Sequence, residues 1–355
     1  MTKSGDFWRA ELDGYNFEKH LSLPVDRCRS KTDQRSSAAY SARFSLNSDL
    51  SKSFLAYASS HNVTPFQLGL ATFYVLLFKL SNGEIDLCIS CVDANRYRPE
   101  IEDFVGMFIA TLPYRVQIDP SRSFDHLVEQ VRDKCLSILE HTHYPLQRIL
   151  ADSHKQQVNI NFLDISFDFV NFLPAASQLN CDGAIMEPLV PDQWNETAKF
   201  DFMLTFQYDT FLEDKTISCF LVCSRDLYNE ATVVKIARRF EYLLFQVFSP
   251  TYAKNGNNRS EVPLTRLTLI LQEEAAEIEM MNFCRLPYYV NIGMPSIFQL
   301  FFIFINMLEC YRHILCSVER KWWLTSKSQK VLTSKIKINC YELRSSRTPV
   351  RIVYS

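Results

Sequence analysis

Apolar residues along the first 250 positions of the chain alternate between the two-residue period of strands and the longer period of helices. The runs with strand character are residues 42–46, 85–92, 158–172, 200–208 and 216–223. The runs with helical character are residues 50–61, 66–80, 124–141, 144–150 and 229–248. Because strands alternate with helices that can cover them, the pattern predicts an α/β sandwich in which helices cover a mixed sheet.

Polar residues that can cap helices stand before several of these runs. Asp6 is the candidate N-cap of a first helix that ends at Gly14. Asn47 stands before the helix at 50–61, and Asn229 stands before the last helix. Each side chain is expected to accept a hydrogen bond from a free backbone N–H group in the first turn.

The helix at 66–80 follows Thr64, which can cap it, and Pro65, which is favoured at the first helical position. It is apolar nearly all round, so we expect it to be a buried central helix. Two other long helices are amphipathic. Their predicted buried faces are Leu127, Val128, Val131, Cys135, Ile138 and Leu139 in one, and Val233, Val234, Ile236, Ala237, Phe240, Leu243 and Leu244 in the other.

Residues 86–115 combine these patterns with polar chemistry. The strand-like run that ends near Val92 breaks into a charged loop over 93–103, and a second apolar run follows over 104–116. A polar loop between two buried strands is a candidate functional surface. The structural alternative is a solvated loop whose arginines pair with Glu100, Glu102 or Asp103.

Composition narrows the protein class. The chain has 355 residues, 47% hydrophobic, with a net charge of −2, which gives no argument for nucleic acid or membrane binding. Its eleven cysteines show no CxxC or Cys/His spacing that would hold zinc. No signal peptide precedes Phe7. These observations predict a globular cytoplasmic protein with free buried thiols and no metal.

Five segments in order resemble the C-terminal half of a condensation domain from nonribosomal peptide synthetases. They are FWRAELDG with LSLPVDR, CISCVDANR, VGMFIATLPYR, HTHYPLQRIL, and TAKFDFMLTF with SRDLYNEATV. The second and third resemble the family's Ala-Asn-Arg loop and its Gly-x-Phe-Val-Asn-Thr-Leu-x-x-Arg motif. The fourth stands where the family has His-Gln-Asp-x-Pro-Phe. The resemblance covers about 250 residues.

The resemblance implies a fold like chloramphenicol acetyltransferase, which the family builds from two similar lobes with a tunnel between them. Acyl groups on the phosphopantetheine of carrier domains enter from opposite faces, and an acceptor amine or hydroxyl attacks the donor thioester. No cofactor is bound directly. The implied partners are carrier domains, an adenylation domain and a complementary N-terminal lobe.

The family's catalytic motif, His-His-x-x-x-Asp-Gly, belongs to the N-terminal lobe. None of the seven histidines here is followed by that spacing. Acyl transfer needs a group that takes the proton from the nucleophile, so we expect no catalytic residue and little or no activity from this chain alone. A truncated gene or gene model is the simplest explanation. His141 and His143 are two apart near a helix end, so we expect them to point apart and to be structural.

The resemblance places the floor of the family's tunnel in residues 86–115. The candidate floor residues are Asn95, Arg96, Gly106, Phe108, Thr111 and Arg115. Gly106 would allow a close approach, and Arg115 would anchor the strand end. Ala110 replaces the asparagine of the family motif.

The chain therefore divides into four predicted parts. Residues 1–40 are an N-terminal helix and extended lead-in, and residues 41–262 are the C-terminal lobe. Within the lobe, residues 173–194 resemble the crossover that latches onto the partner lobe. Residues 263–300 resemble the linker that runs into an adenylation domain.

Residues 301–355 form an apolar and then basic tail that we expect to be poorly ordered or read-through sequence. The last 45 positions hold ten of the 38 basic residues and two of the 40 acidic residues. The apolar run at 297–308 is shorter than the roughly 20 residues of a membrane span. An interfacial membrane anchor is the alternative for this tail.

Two functional classes remain open. The first is a partial condensation domain that forms amide or ester bonds once a complementary lobe is present. The second is a non-catalytic interaction module that binds a carrier protein or another synthetase domain. A coding sequence upstream of Met1 that contained the histidine motif would favour the first.

Overall fold

The computed structural model describes residues 2–17, 20–29, 34–102, 104–153, 164–172, 179–181, 184–186, 197–209, 216–249 and 262–278. Two compact units divide the chain, Met1–Gln299 and Leu300–Ser355, and the second lies wholly outside the described residues. The predicted tail and the second half of the predicted linker also lie outside them. So does most of the crossover predicted at 173–194.

Seven helices and eight strands of the first unit have the bounds given below, and residues 272–278 are also helical. The helices are α1 (Thr2–Leu12), α2 (Ser48–Ser60), α3 (Pro65–Leu80), α4 (Pro99–Glu102), α5 (Phe124–Leu139), α6 (Leu146–Ser153) and α7 (Glu230–Phe248). The strands are β1 (Ala39–Ser45), β2 (Asp86–Asp93), β3 (Ala110–Gln117), β4 (Ile165–Phe172), β5 (Leu179–Cys181), β6 (Ala184–Met186), β7 (Phe202–Asp209) and β8 (Ile217–Ser224). A single 3-10 turn follows at Leu264–Arg266.

Six strands form one mixed sheet in the order β1-β8-β7-β4-β2-β3. The pairs β2–β4 and β4–β7 are parallel, and the other pairs are antiparallel. Strands β5 and β6 form a separate hairpin. The predicted α/β sandwich with a mixed sheet is confirmed.

Helix α3 lies at the centre of the core, as its apolar sequence predicts. It packs on β4 and β7 through Phe73, whose ring centroid lies 5.7 Å from that of Phe167 and 6.1 Å from that of Phe202. A Cβ added to Gly69 would lie 2.9 Å from the ring of Phe167, so this glycine lets the helix approach the sheet. The Thr64 cap is confirmed as a full capping box.

Helix α1 contacts the edge strand β3 through Arg115, whose neighbour Tyr114 contacts α3. The hydroxyl of Tyr74 in α3 donates to the carbonyl of Tyr114, whose ring lies 6.4 Å from that of Phe66. The next residue in β3, Arg115, points to the other face because strand side chains alternate. There it contacts the last turn of α1 by donating to the carbonyl of Glu11.

Several local predictions were wrong. Asp6 does not cap α1, because the helix begins at Thr2 and Asp6 lies inside it, paired with Arg9. Asn229 holds the N-cap position of α7, but no side-chain cap bond forms there. Its amide oxygen accepts from Arg27 instead.

Two residues predicted for buried helix faces are exposed. Val234 follows the buried Val233, and one residue turns a helix by about 100°, which carries Val234 out of the buried stripe. Leu139 is the last residue of α5 and is also exposed. The other predicted members of both faces are buried.

Five of the six cysteines whose side chains are described are buried, as predicted, and one is not. Cys88, Cys91, Cys135, Cys219 and Cys223 are free and buried, and Cys28 is free and exposed. Within the described residues, no single helix is long and apolar enough to cross a membrane. Helices α2 and α3 meet that test only as a pair bent by 107°.

Candidate functional site

The loop that joins β2 to β3 begins with a residue in the left-handed backbone region. Asn95 has φ of 53°, and its backbone N–H donates to Oδ1 of Asp93 at 2.6 Å. Asparagine tolerates this conformation better than most residues do. The chain therefore leaves β2 in a tight turn that fixes the direction of the loop.

Arg96 closes the loop on itself. Its Nη1 donates to the carbonyl of Ile101 at 2.6 Å and its Nη2 to the carbonyl of Gly106 at 3.3 Å. Its guanidinium lies 4.4 Å from the centroid of the Phe108 ring. These contacts join the start of the loop to its end.

Gly106 makes room for an aromatic ring. A Cβ at this position would lie 3.3 Å from Cε2 of Phe108, which is tighter than most such contacts. Its φ is not in the left-handed region. This glycine therefore lies close to a side chain of its own loop, and its role in a tunnel floor stays a prediction.

The end of the loop exposes apolar residues that the sequence places in a strand-like run. β3 begins only at Ala110, so the residues before it are not strand. Met107 is 87% exposed, and Phe104, Val105 and Ile109 are also largely exposed. We call Phe104, Val105, Met107 and Ile109 the apolar loop segment.

The structure separates Arg115 from the other floor candidates. Thr111 pairs with Val92 at the base of the loop, next to the terminal pair Asp93–Ala110. Arg115 pairs with Cys88 and is four residues further along β3 than Thr111, which is about 13 Å at the usual rise per residue. Five of the six candidates thus lie in the loop or at its base, and the sixth does not.

Arg115 is an internal anchor for the end of α1. It is 8% exposed, and its Nε and Nη2 each donate to the carboxylate of Asp86 at 2.8 Å. Its Nη1 donates to the carbonyls of Glu11 at 3.2 Å and Asp13 at 2.6 Å. The bonds to Asp86 raise the pKa of the guanidinium. This network joins α1 to the β2–β3 pair.

The two histidines predicted to point apart converge on one atom. Nδ1 of His141 and Nε2 of His143 each lie 3.1 Å from the hydroxyl oxygen of Ser4. α5 ends at Leu139, so both histidines belong to a turn and not to a helix. Helical geometry therefore does not apply to them. Among the described residues, no group of three His, Cys, Asp or Glu side chains could hold a metal ion.

Two features of the structure, one at this loop and one elsewhere, were not predicted from the sequence. The residue between the histidines, Thr142, donates from Oγ1 to Oδ1 of Asn95 at 3.4 Å. At the far end of the sheet, Arg29 makes a bidentate ion pair with Asp201 at 2.9 and 2.7 Å and also reaches Asp226. Both contacts join residues that are far apart in sequence, and no local pattern marks them.

The buried thiols of Cys88 and Cys91 are poor nucleophile candidates. Burial raises the pKa of Cys88 and of Cys91, so both stay protonated at neutral pH. A cleft of about 110 Å³ lies beside Cys88 and is lined by Tyr15, Leu21, Glu84 and Asp86 among others. It adjoins the Asp86–Arg115 pair and is distant from the loop.

Comparisons with known proteins agree on one family. The family model of the condensation domain matches residues 1–260. Phosphinothricin tripeptide synthetase PhsC from Streptomyces viridochromogenes is 27% identical over 242 residues, which cover 67% of this chain and 21% of PhsC. The chain thus spans about a fifth of that relative.

Two solved structures show the same fold. The four-domain nonribosomal peptide synthetase AB3403, bound to AMP and glycine, has a TM-score of 0.63 at 19% identity, over 77% of this chain and 20% of that one. The X-domain in complex with OxyB, from teicoplanin biosynthesis, has a TM-score of 0.62 at 18% identity, over 76% of this chain and 56% of that one. The predicted chloramphenicol acetyltransferase-like fold is confirmed, and the chain belongs to the condensation domain family of nonribosomal peptide synthetases.

Proposed function

We propose that this chain supplies the C-terminal lobe of a condensation domain and needs a complementary lobe for chemistry. In the family reaction, an acceptor nitrogen or oxygen forms a bond to the donor acyl carbon. The carbon–sulfur bond of the thioester breaks, and the carrier thiol leaves with a proton. The observation that carries the proposal is the loop between β2 and β3, which holds four of the six floor candidates and has a fifth at its base, in a sequence without the family's histidine motif.

The loop is suited to be the floor of a substrate tunnel. Its entry is fixed by the turn at Asn95, and Arg96 holds its two ends together. A floor must keep its shape while a flexible phosphopantetheine arm passes over it, and these internal bonds supply that rigidity. We assign Asn95, Arg96, Gly106 and Phe108 to the floor surface, with Thr111 at its base.

Arg115 contributes to this site indirectly. The family resemblance makes it the anchor of the strand end, and its buried bonds to Asp86 and to the carbonyls at the end of α1 support that role. We propose no contact between Arg115 and substrate.

The partners follow from the exposed surface and from the family. The apolar loop segment presents four large apolar side chains to solvent, which is unfavourable unless another surface covers them. We propose that the complementary N-terminal lobe covers this segment. Carrier domains bring the substrates on phosphopantetheine, an adenylation domain works beside them, and no cofactor binds the lobe itself. The buried free thiols support a cytoplasmic setting.

Reconstitution tests the proposal. The purified chain is mixed with donor and acceptor aminoacyl thioesters on carrier proteins, with and without a separately expressed N-terminal lobe that carries the histidine motif. We expect product only when both lobes are present. Turnover by the chain alone above background would contradict its predicted inactivity. Binding of the lobes without any product would contradict its role as a catalytic half.

A matched pair of variants tests the loop within that assay. Arg96→Met removes the bonds that close the loop and should lower product formation at least tenfold. Arg132→Met on α5 removes a partly exposed arginine that pairs with its exposed neighbour Asp133, and it should leave the rate unchanged. Equal rates for the two variants would remove the loop from the site.

The second candidate is a non-catalytic module that keeps the fold and binds a carrier or synthetase domain. The similar fold of the X-domain, solved in complex with OxyB, supports this alternative. Its test is binding without turnover. A carrier protein that binds the chain alone with micromolar affinity, in a system where added N-terminal lobe never yields product, would favour the module.

A further inference from the structure

The first turns of α1 hold the turn at residues 140–144 through a buried hydroxyl. Ser4 is 3% exposed, and its oxygen lies 3.1 Å from a ring nitrogen of His141 and of His143. A hydroxyl has one hydrogen and two lone pairs, so it can satisfy both rings at once. The pair of contacts fixes the turn from two directions.

Further contacts from α1 reach the same turn. Nε1 of Trp8 donates to the carbonyl of His141 at 3.2 Å, and the ring of Phe7 stacks on the His141 ring at 4.2 Å. A Cβ added to Gly5 would lie 3.0 Å from the hydroxyl of Tyr144, so the helix backbone itself lies close to the turn. α1 therefore contacts the turn through its rings and through its backbone.

The middle residue of the turn faces the β2–β3 loop. Thr142 is 4% exposed, and its Oγ1 lies 3.4 Å from Oδ1 of Asn95 and 3.4 Å from the carbonyl of Leu139, so its one hydrogen is shared between these two acceptors. The backbone N–H of Asn95 donates to Asp93, the last residue of β2, and the hydroxyl of Tyr97 donates to the same carboxylate. The turn is thus attached to the entry of the loop through Thr142 and Asn95.

We infer that the turn at 140–144 transmits the position of α1 to the β2–β3 loop, with Thr142 as a positioning residue. His141 and His143 face Ser4, and Thr142 between them faces Asn95. A displacement of α1 must therefore move or break the contacts that hold the loop entry. The inference deepens the proposed function because it concerns the same loop, but the coupling is a property of this chain alone.

Amide hydrogen exchange on the chain, followed by mass spectrometry, tests the coupling. Ser4→Ala should raise the exchange rate of loop residues 93–102 by about fivefold, the effect of losing one net hydrogen bond. Thr142→Val should do the same, and Thr142→Ser, which keeps the hydroxyl, should stay within about twofold of wild type. Because coupling is reciprocal, Thr142→Val should also raise exchange in residues 2–8. This reciprocal measurement keeps the test decisive if Ser4→Ala fails to fold.

A remote buried serine is the matched control. Ser51 is fully buried, donates to the carbonyl of Leu46 and accepts from the backbone N–H of Ile217. Ser51→Ala removes bonds of the same kind without touching the turn, so exchange at 93–102 should not change. The double variant of Ser4 and Thr142 should exchange no faster than the faster single variant, because both act through one contact path.

Three results would overturn the inference. They are an unchanged loop in Thr142→Val, an equal rise in Ser51→Ala, and additive effects in the double variant. None of them depends on condensation activity. If reconstitution fails but loop exchange rises as expected, the proposed function is rejected and the coupling stands. If reconstitution succeeds but loop exchange does not change, the coupling is rejected and the proposed function stands.

Discussion

Replacement of Arg115 by methionine tests how the lobe is held together. Methionine keeps an unbranched apolar side chain and removes the guanidinium, which makes two bonds to Asp86 and two to the carbonyls of Glu11 and Asp13. It also loses the contact with the ring of Tyr15, 5.3 Å away. The change therefore removes the attachment of α1 to β2 and β3.

The size of the effect follows from burial. Breaking a buried ion pair by removing one partner costs about 3–5 kcal/mol. The Asp86 side chain is 28% exposed, so water can partly solvate its carboxylate after Arg115 is removed. We therefore expect a cost near the lower end of this range, about 3 kcal/mol. The two carbonyls that lose a donor keep the cost from falling much below that value.

Urea unfolding followed by circular dichroism measures this loss. Arg132→Met is the control, because an exposed pair contributes about 0–1 kcal/mol. A double-variant cycle with Asp86→Asn should give a coupling energy of at least about 1 kcal/mol. If Arg115→Met costs no more than Arg132→Met, Arg115 is not the anchor that its contacts indicate.

Three further predictions concern stability and reactivity. Thr64→Ala should cost about 1 kcal/mol in urea unfolding, because it removes the cap of α3. Iodoacetamide should label Cys28 in the folded chain and leave Cys88 unlabelled until urea unfolds it, since burial raises the pKa of Cys88. A hydrogen bond from Ser36 holds the pKa of the Asp226 carboxyl below its ordinary 3.8. The stability that the ionised carboxylate contributes is therefore present above pH 3.8 and is lost as the pH falls below that value. Ser36→Ala should thus destabilise the chain at pH 7, by a margin that shrinks in unfolding curves below pH 3.8.

Local signals in the sequence were enough for most elements of the lobe. The cap at Asn47 accepts from the backbone N–H of Leu50, as a residue before a helical run should. The apolar run of α3 is buried along its length because such a surface has no stable place in water. Interactions within a few residues, or a strong apolar pattern, decide features of this kind.

Predictions failed where a distant residue competes for the same group. The side chain of Asn229 stands where a cap should be, yet it accepts from Arg27, 202 positions away. The histidine pair converges because α5 ends at Leu139 and the turn then meets Ser4, 137 residues from His141. Neither contact can be predicted from the residues next to it in the sequence.

In the candidate site, too, some features follow from the local sequence and others from contacts between distant residues. The sequence by itself determined that a strand, a polar loop and a second strand lie within residues 86–115, and which residues resemble the family's floor. Only the tertiary structure decided that Arg115 faces α1 and that the apolar loop segment is exposed. Periodicity records which side chains share a face, because the backbone repeat fixes that. Whether a face is covered depends on surfaces that come from elsewhere in the chain, so it is settled only when those surfaces meet.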